Sequence, residues 1–131
     1  MTADQGDAEA QFSLARMYAK GDGVAINKTE AVRLFTLAAE KGNAKAQTSL
    51  GVMYYHGIDV PINKKKALRF FTLAAAQGYA KAQYNLGVMY YEGDGVPVNK
   101  TEALRLYTLA AEQEYAPAQF NLGVMHYGFV A

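Results

Sequence analysis

The sequence predicts an all-α solenoid of paired helices, and three observations predict it. The first is a tandem repeat. Ala8-Glu9-Ala10-Gln11 returns as Ala44-Lys45-Ala46-Gln47, Ala80-Lys81-Ala82-Gln83 and Ala116-Pro117-Ala118-Gln119, at starts 8, 44, 80 and 116, each 36 residues after the last. A fixed period of this size is the signature of a stacked repeat architecture. The second is helical spacing inside the unit: Ala82, Leu86, Met89 and Tyr90 fall at i, i+4, i+7 and i+8, one face of a helix. The third is punctuation. Glycine-rich turns and asparagine caps fall at matching points of successive units, where helices stop and start.

Taken in order, residues 1–7 align with the tail of a second helix: Ala3-Asp4-Gln5-Gly6-Asp7 matches Ala39-Glu40-Lys41-Gly42-Asn43. Three full units follow, at 8–43, 44–79 and 80–115, and a half unit at 116–131 supplies one more helix. The expected total is seven helices in one repeat domain. Each first helix runs into a turn such as Glu92-Gly93-Asp94-Gly95-Val96, whose glycines can adopt positive φ and stop it. Each second helix starts at an asparagine. Asn27-Lys28-Thr29-Glu30 and Asn99-Lys100-Thr101-Glu102 fit a capping box, with the glutamate reaching back to the cap. Asn63-Lys64-Lys65-Lys66 keeps the cap and loses the box, so that helix start is expected to be weaker.

Small residues mark close approach. Gly51, Gly87 and Gly123, with Ala15 at the same repeat position, sit in mid-helix, where glycine costs roughly 1 kcal/mol against alanine. Recurrence of that cost implies contact with a partner helix that offsets it. Ala38/Ala39, Ala74/Ala75 and Ala110/Ala111 play the same part on the second helices. Gly42 and Gly78 end the second helices of their units, and Glu114 replaces that glycine in the third. A residue with a Cβ predicts either a tighter turn there, at negative φ, or one of a different shape. At the other end, Gly128-Phe129-Val130-Ala131 departs from the Gly-x-Gly turn.

Composition excludes several classes. A formal net charge of +1 gives no basic stripe for nucleic acid. Without cysteine there is no disulfide framework, thiolate metal site or cysteine nucleophile. No apolar run approaches the roughly 18 residues of a membrane span, and MTADQGDAEA lacks the features of a signal peptide. The expected location is therefore cytoplasmic, or periplasmic or secreted if a longer parent carries a signal. Gly21-Asp22-Gly23 and Gly93-Asp94-Gly95 follow helices and lack the remainder of a phosphate loop, so they are turns. His56 and His126 fall at different repeat positions with no spaced ligand set, so no metal site is expected. Ser13 and Ser49 lack a lysine three residues on, which removes the Ser-x-x-Lys nucleophile–base pair. Neither enzyme activity nor a cofactor is expected.

The repeat resembles the Sel1-like repeat family, a relative of the tetratricopeptide repeat. The matching pattern is Ala-x-Ala-Gln-x-x-Leu-Gly-x-x-Tyr, then Gly-x-Gly-Val, then a helix ending Ala-Ala. Ala80, Ala82, Gln83, Leu86, Gly87, Tyr90, Gly93, Gly95, Val96, Ala110 and Ala111 carry it. Departures are Ala15 for glycine, Ile58-Asp59 around the second glycine, and His126 for tyrosine. The resemblance implies a right-handed superhelix of antiparallel helix pairs acting as an adaptor in protein complexes, largely among bacteria.

It also implies that the first helices line a concave surface. Leu14, Leu50, Leu86 and Leu122, with Tyr18, Tyr54, Tyr90 and His126, then hold core positions. A stripe rotated away from them is the candidate partner-binding face: Phe12, Arg16, Thr48, Val52, Tyr55, His56, Tyr84, Val88, Tyr91, Glu92, Phe120, Val124 and Tyr127. Aromatics with few charges suit a peptide or helix laid in a groove. The competing reading makes Phe12, Tyr84 and Phe120 ordinary core between adjacent first helices. The expected function is a non-catalytic interaction module for a protein or peptide, with no nucleic acid and no membrane insertion. The alternative is a structural unit that homo-oligomerises through its uncapped terminal helices, exposing Phe120, Leu122 or Met125 at the last one.

Overall fold

The structure, a computed structural model, describes residues 7–127. Expectations placed on residues 1–6 and 128–131 lie outside the described residues. Within them are seven α-helices and no strand: α1 Ala8–Lys20, α2 Lys28–Glu40, α3 Ala44–His56, α4 Lys64–Ala76, α5 Ala80–Glu92, α6 Lys100–Glu112 and α7 Ala116–Tyr127. They form two compact units, one ending at Ala74 and one beginning at Ala75. In the first, α1 packs on α2, and α2 on α3; in the second, α5 packs on α6, and α6 on α7.

Helix ends follow local chemistry. The first helices stop at Gly21, Gly57 and Gly93, all left-handed at φ 73°, 72° and 69°. A Cβ at these glycines would lie 2.5–2.6 Å from Ile26, Ile62 and Val98 respectively, so glycine is needed for space as well as for φ. The second helices start as expected on their asparagines: Asn27, Asn63 and Asn99 each accept a backbone N–H from three residues on, at 3.0 Å. Such a cap contributes about 1 kcal/mol.

The expected reciprocal half of the capping box is replaced. Asn27 and Asn99 donate their own N–H groups to the Tyr18 and Tyr90 carbonyls at 3.0 and 2.8 Å. Glu30 and Glu102 instead accept from Arg33 and Arg105 one turn on, with Nε–Oε1 at 2.9 Å in both. Charge-assisted bonding to the arginine holds each glutamate below its ordinary pKa, against a smaller opposing effect of desolvation. The pairs are largely exposed and add little stability. α4 has Lys66 in place of the glutamate, so it keeps the cap without the pair.

The turn at Glu114 overturns the expectation of negative φ. Glu114 sits at φ 62°, the same left-handed region as Gly42 and Gly78 at 94° and 87°. The backbone imposes this: Glu114 N–H bonds the Ala111 carbonyl at 2.9 Å, and Tyr115 N–H bonds that of Ala110 at 3.2 Å. A Cβ at the equivalent Gly42 or Gly78 meets nothing within 4 Å. Glutamate therefore meets no clash, only the intrinsic left-handed cost of roughly 1–2 kcal/mol. Asp59 does the same at φ 62°.

Close approach within the helix pairs is as the mid-helix glycines require. A Cβ on Gly51 would lie 2.5 Å from the Phe71 ring, and one on Gly87 2.8 Å from Tyr107. Each second helix buries the same pattern toward its neighbours, an alanine, a large apolar residue, an aromatic and an alanine at i, i+3, i+4 and i+7. In α2 these are Ala31, Leu34, Phe35 and Ala38; in α4, Ala67, Phe70, Phe71 and Ala74; in α6, Ala103, Leu106, Tyr107 and Ala110.

The repeated glutamine has a role that the helical spacing does not show. Gln47, Gln83 and Gln119 donate Nε2 to the carbonyls of Ala39, Ala75 and Ala111, each eight residues earlier, at 3.1, 3.4 and 3.2 Å. Those carbonyls lie in the last turn of a helix, where the i+4 helical donor is missing; each also accepts the backbone N–H three residues on, so the glutamine supplies a second donor. The glutamine thus ties one repeat to the end of the one before it. Gln11, fully buried, stands eight residues after Ala3, which is outside the described residues.

Candidate functional site

In the second unit, six of the expected stripe residues come together. Tyr84, Val88, Tyr91 and Glu92 of α5 face Phe120 and Val124 of α7 across a groove of about 250 Å³, with Tyr107, Asn121 and Met125 completing its walls. The one-turn spacing of Tyr84, Val88 and Tyr91 on α5, and of Phe120 and Val124 on α7, places them on single helix faces. Tyr84 is half-buried, its ring centroid 5.7 Å from Tyr107 and 5.6 Å from Tyr115, so it is wall and core at once. Phe120 and Val124 are 71% and 53% exposed. Lys100 places its ammonium 5.2 Å from the centre of the Tyr91 ring, a cation beside an aromatic face.

Electrostatically the groove is quiet. Burial pushes the Tyr107 phenol above its ordinary pKa, partly offset by a hydrogen bond with Asn121. Burial likewise raises Tyr115. Both stay neutral near pH 7 and serve as hydrogen-bonding, apolar surface. The single carboxylate lining the groove is Glu92.

The first unit treats its share of the stripe differently. Phe12 is 8% exposed, its ring 5.8 Å from that of Phe35, and Thr48 is 2% exposed with its hydroxyl donating to the Ala44 carbonyl at 2.8 Å. Both are corrected from ligand-facing to buried: Phe12 is core against α2, and Thr48 turns its hydroxyl onto its own helix. Arg16 is exposed, its guanidinium 5.8 Å from the Phe12 ring centre. Arg16 also lines a shallow opening with Ser13, Met17, Lys20 and Asp22. Val52 and Tyr55 are half-buried and His56 is exposed. Tyr55 carries the Lys64 ammonium 3.5 Å over its ring and meets His56 edge-on at 4.9 Å. The Tyr127 side chain lies outside what is described.

The competing core reading therefore divides by position: Phe12 is buried, Tyr84 half-buried and Phe120 open, although all three share one repeat position. Asn121, Met125 and Tyr107 were absent from the expected set. The first two adjoin stripe residues in sequence, and Tyr107 enters from a second helix that the stripe did not include.

Among the described residues no group of three His, Cys, Asp or Glu side chains could hold a metal ion, and no helix is long and apolar enough to cross a membrane.

The model of the Sel1 repeat matches residues 8–43, 44–79, 80–115 and 116–129. Among solved structures, the chain is similar to a Sel1 repeat protein from Oxalobacter formigenes, at 40% identity over 92% of this chain and 91% of that one, with a TM-score of 0.88. It is similar to c5321, a protective antigen of uropathogenic Escherichia coli strains displaying an SLR fold, at 38% identity and a TM-score of 0.92. That match covers 96% of this chain and 27% of the antigen. Helicobacter pylori cysteine-rich protein B shares the fold at 23% identity, over 88% of both chains, with a TM-score of 0.74. No curated protein matches the chain in sequence.

Proposed function

The chain belongs to the Sel1 repeat family and has its helical solenoid fold, and on that footing we propose that it is a non-catalytic protein-interaction module. Its binding surface is the groove between α5 and α7, and the occupant is an extended peptide or partner segment. The observation that carries this is the convergence of Tyr84, Val88, Tyr91, Phe120 and Val124 on one open, amphipathic groove. At about 250 Å³ it is smaller than the roughly 300–1,000 Å³ that encloses a drug-sized ligand. One or two apolar side chains of a peptide fit that space. Of the remaining stripe residues, Arg16, Val52, Tyr55 and His56 serve as additional contacts in the first unit.

Tyr91→Ala and Val88→Glu test the groove without touching the buried ring of Tyr107. Partner capture from the source cells should fall at least about tenfold in each variant, as expected for an anchor lost from an interface. Helicity and melting should stay unchanged. Capture at the unmodified level by both variants would refute the groove as the binding surface.

A second reading, self-association through α7, draws on the exposure of Phe120 and Val124. Light scattering over a wide concentration range decides it, since a dimer gains mass with concentration and a monomer does not.

A further inference from the structure

The net charge of +1 conceals an uneven distribution over the repeats. Residues 8–43 carry five basic and four acidic side chains, and residues 80–115 carry three and five, for +1 and −2. Residues 44–79 carry Lys45, Lys64, Lys65, Lys66 and Arg69 against Asp59 alone, for +4. Asp59 is already engaged by Lys28, 3.7 Å away, and no acidic residue follows it until Glu92. Most of the surplus stands on α4, whose first turn holds three lysines and no carboxylate. The positive end of a helix dipole disfavours cations, and α2 and α6 each place a glutamate in that turn. There the glutamate pairs with the arginine one turn on, Arg33 or Arg105. α4 keeps the arginine, as Arg69, and puts Lys66 where its carboxylate would stand. Aromatic rings hold these cations instead. Lys66 Nζ lies 4.9 Å from the centre of the Tyr54 ring, and the Arg69 guanidinium 5.1 Å from that of Phe70. A ring positions a cation without neutralising it. Among the described residues Lys65, Lys66 and Arg69 pair with no carboxylate. All three are exposed, and with Leu73, 41% exposed, they follow one face of α4 at i, i+1, i+4 and i+8. A local preference broken in one repeat only, with no compensating ion pair inside the fold, points to a use outside it.

We propose that this face of α4 is a second docking surface, and that its occupant is a short acidic segment of a partner protein. Its carboxylates meet Lys65, Lys66 and Arg69, and an apolar side chain beside them covers Leu73. Charge complementarity selects the acid. From Lys65 to Leu73 the patch is about 12 Å long, the reach of a few extended residues. The surplus does not continue into the flanking repeats, at +1 and −2. That suits a short peptide better than a nucleic-acid duplex or an anionic membrane, whose binding draws on basic charge over a wider area. None of these residues lines the groove between α5 and α7, so the surface goes beyond that reading.

The probe is a fluorescein-labelled peptide of six glutamates and two leucines, titrated with the full chain and followed by anisotropy. It should bind saturably, and at least about fivefold more weakly when salt rises from about 20 mM to about 500 mM, because salt screens exposed charges. The decisive variant combines Lys65→Thr with Lys66→Glu, which gives α4 the Asn-Lys-Thr-Glu start of α2 and α6. It should bind the peptide at least about tenfold more weakly, through lost attraction and an added like charge. Its melting should match or exceed that of the parent, because Lys66→Glu supplies the partner that Arg69 lacks. Lost binding is thereby separated from lost folding. Tyr91→Ala should leave binding of this peptide unchanged, so failure of the groove reading and failure of this one are distinguishable. Equal binding by the double variant, or no saturable binding up to millimolar peptide, overturns the proposal. So does tighter binding of a DNA duplex or of phosphatidylserine vesicles, lost in the same variant, which would assign the patch to another polyanion. A mass that rises with concentration in the parent and not in the variant would assign it to a second copy, and overturns it too.

Discussion

Adding one methyl group at the same repeat position should have opposite effects in α3 and α7. Gly51→Ala and Gly123→Ala both replace a mid-helix glycine, and each gains about 1 kcal/mol from helix propensity. At Gly51 the new Cβ would stand 2.5 Å from the Phe71 ring, itself only 2% exposed. Carbon atoms pack at about 3.5–4.0 Å, so the ring must retreat by roughly 1 Å inside a filled core. Overpacking of this kind costs typically 1–3 kcal/mol. Gly51→Ala should therefore be neutral or destabilising by up to about 2 kcal/mol once the propensity gain is subtracted. Gly123→Ala meets no described atom within 4 Å and should keep the whole gain of about 1 kcal/mol. Thermal and urea unfolding followed by circular dichroism measure both. The variants should differ by about 2 kcal/mol, or about 6–10 °C in melting temperature for a chain of this size. Hydrogen exchange of the α7 amides carries the readout if α7 opens before the rest. Equal shifts in the two variants would refute the argument, because they would mean that the glycines of the earlier repeats are not there for the aromatic ring.

Two further outcomes follow from single residues. Glu114→Gly removes the left-handed cost at φ 62° and should stabilise the chain by about 1 kcal/mol; urea unfolding checks it, and a loss of stability would mean that the glutamate side chain compensates. Tyr107 titrates above its ordinary value of 10.0 because burial opposes the phenolate. The stability that this contributes is fully present below pH 10 and is lost as pH rises through the folded value. Alkaline unfolding should therefore be shallower in Tyr107→Phe, and an identical pH profile would show that the phenol does not couple to folding.

The repeat period, the helix count and the placement of the turns were legible in the residues because each rests on local chemistry. Asparagine accepts from the amide three residues on, glycine permits the left-handed stop, and apolar spacing marks the buried face. The Glu114 turn shows the limit of that logic. Local preference argues for negative φ, yet the backbone bonds to Ala110 and Ala111 hold the residue at the glycine geometry. Glu30 and Glu102 likewise had two partners within reach, and the arginine one turn on competed successfully with the cap.

The binding stripe divides along the same line. Phe12, Tyr84 and Phe120 occupy one repeat position, and by itself the sequence makes them equivalent. Tertiary packing makes them a buried core ring, a half-buried groove wall and an exposed surface. The physical reason is that exposure belongs to the neighbours and not to the residue. Phe12 has the α2 ring over it, Tyr84 has Tyr107 and Tyr115 beside it, and beyond its own helix no described atom lies within 4 Å of a Cβ placed on Gly123, one turn along α7 from Phe120. Sequence alone determined which helices exist and where their apolar faces lie. Only the packing of those helices decided which of those faces remain open.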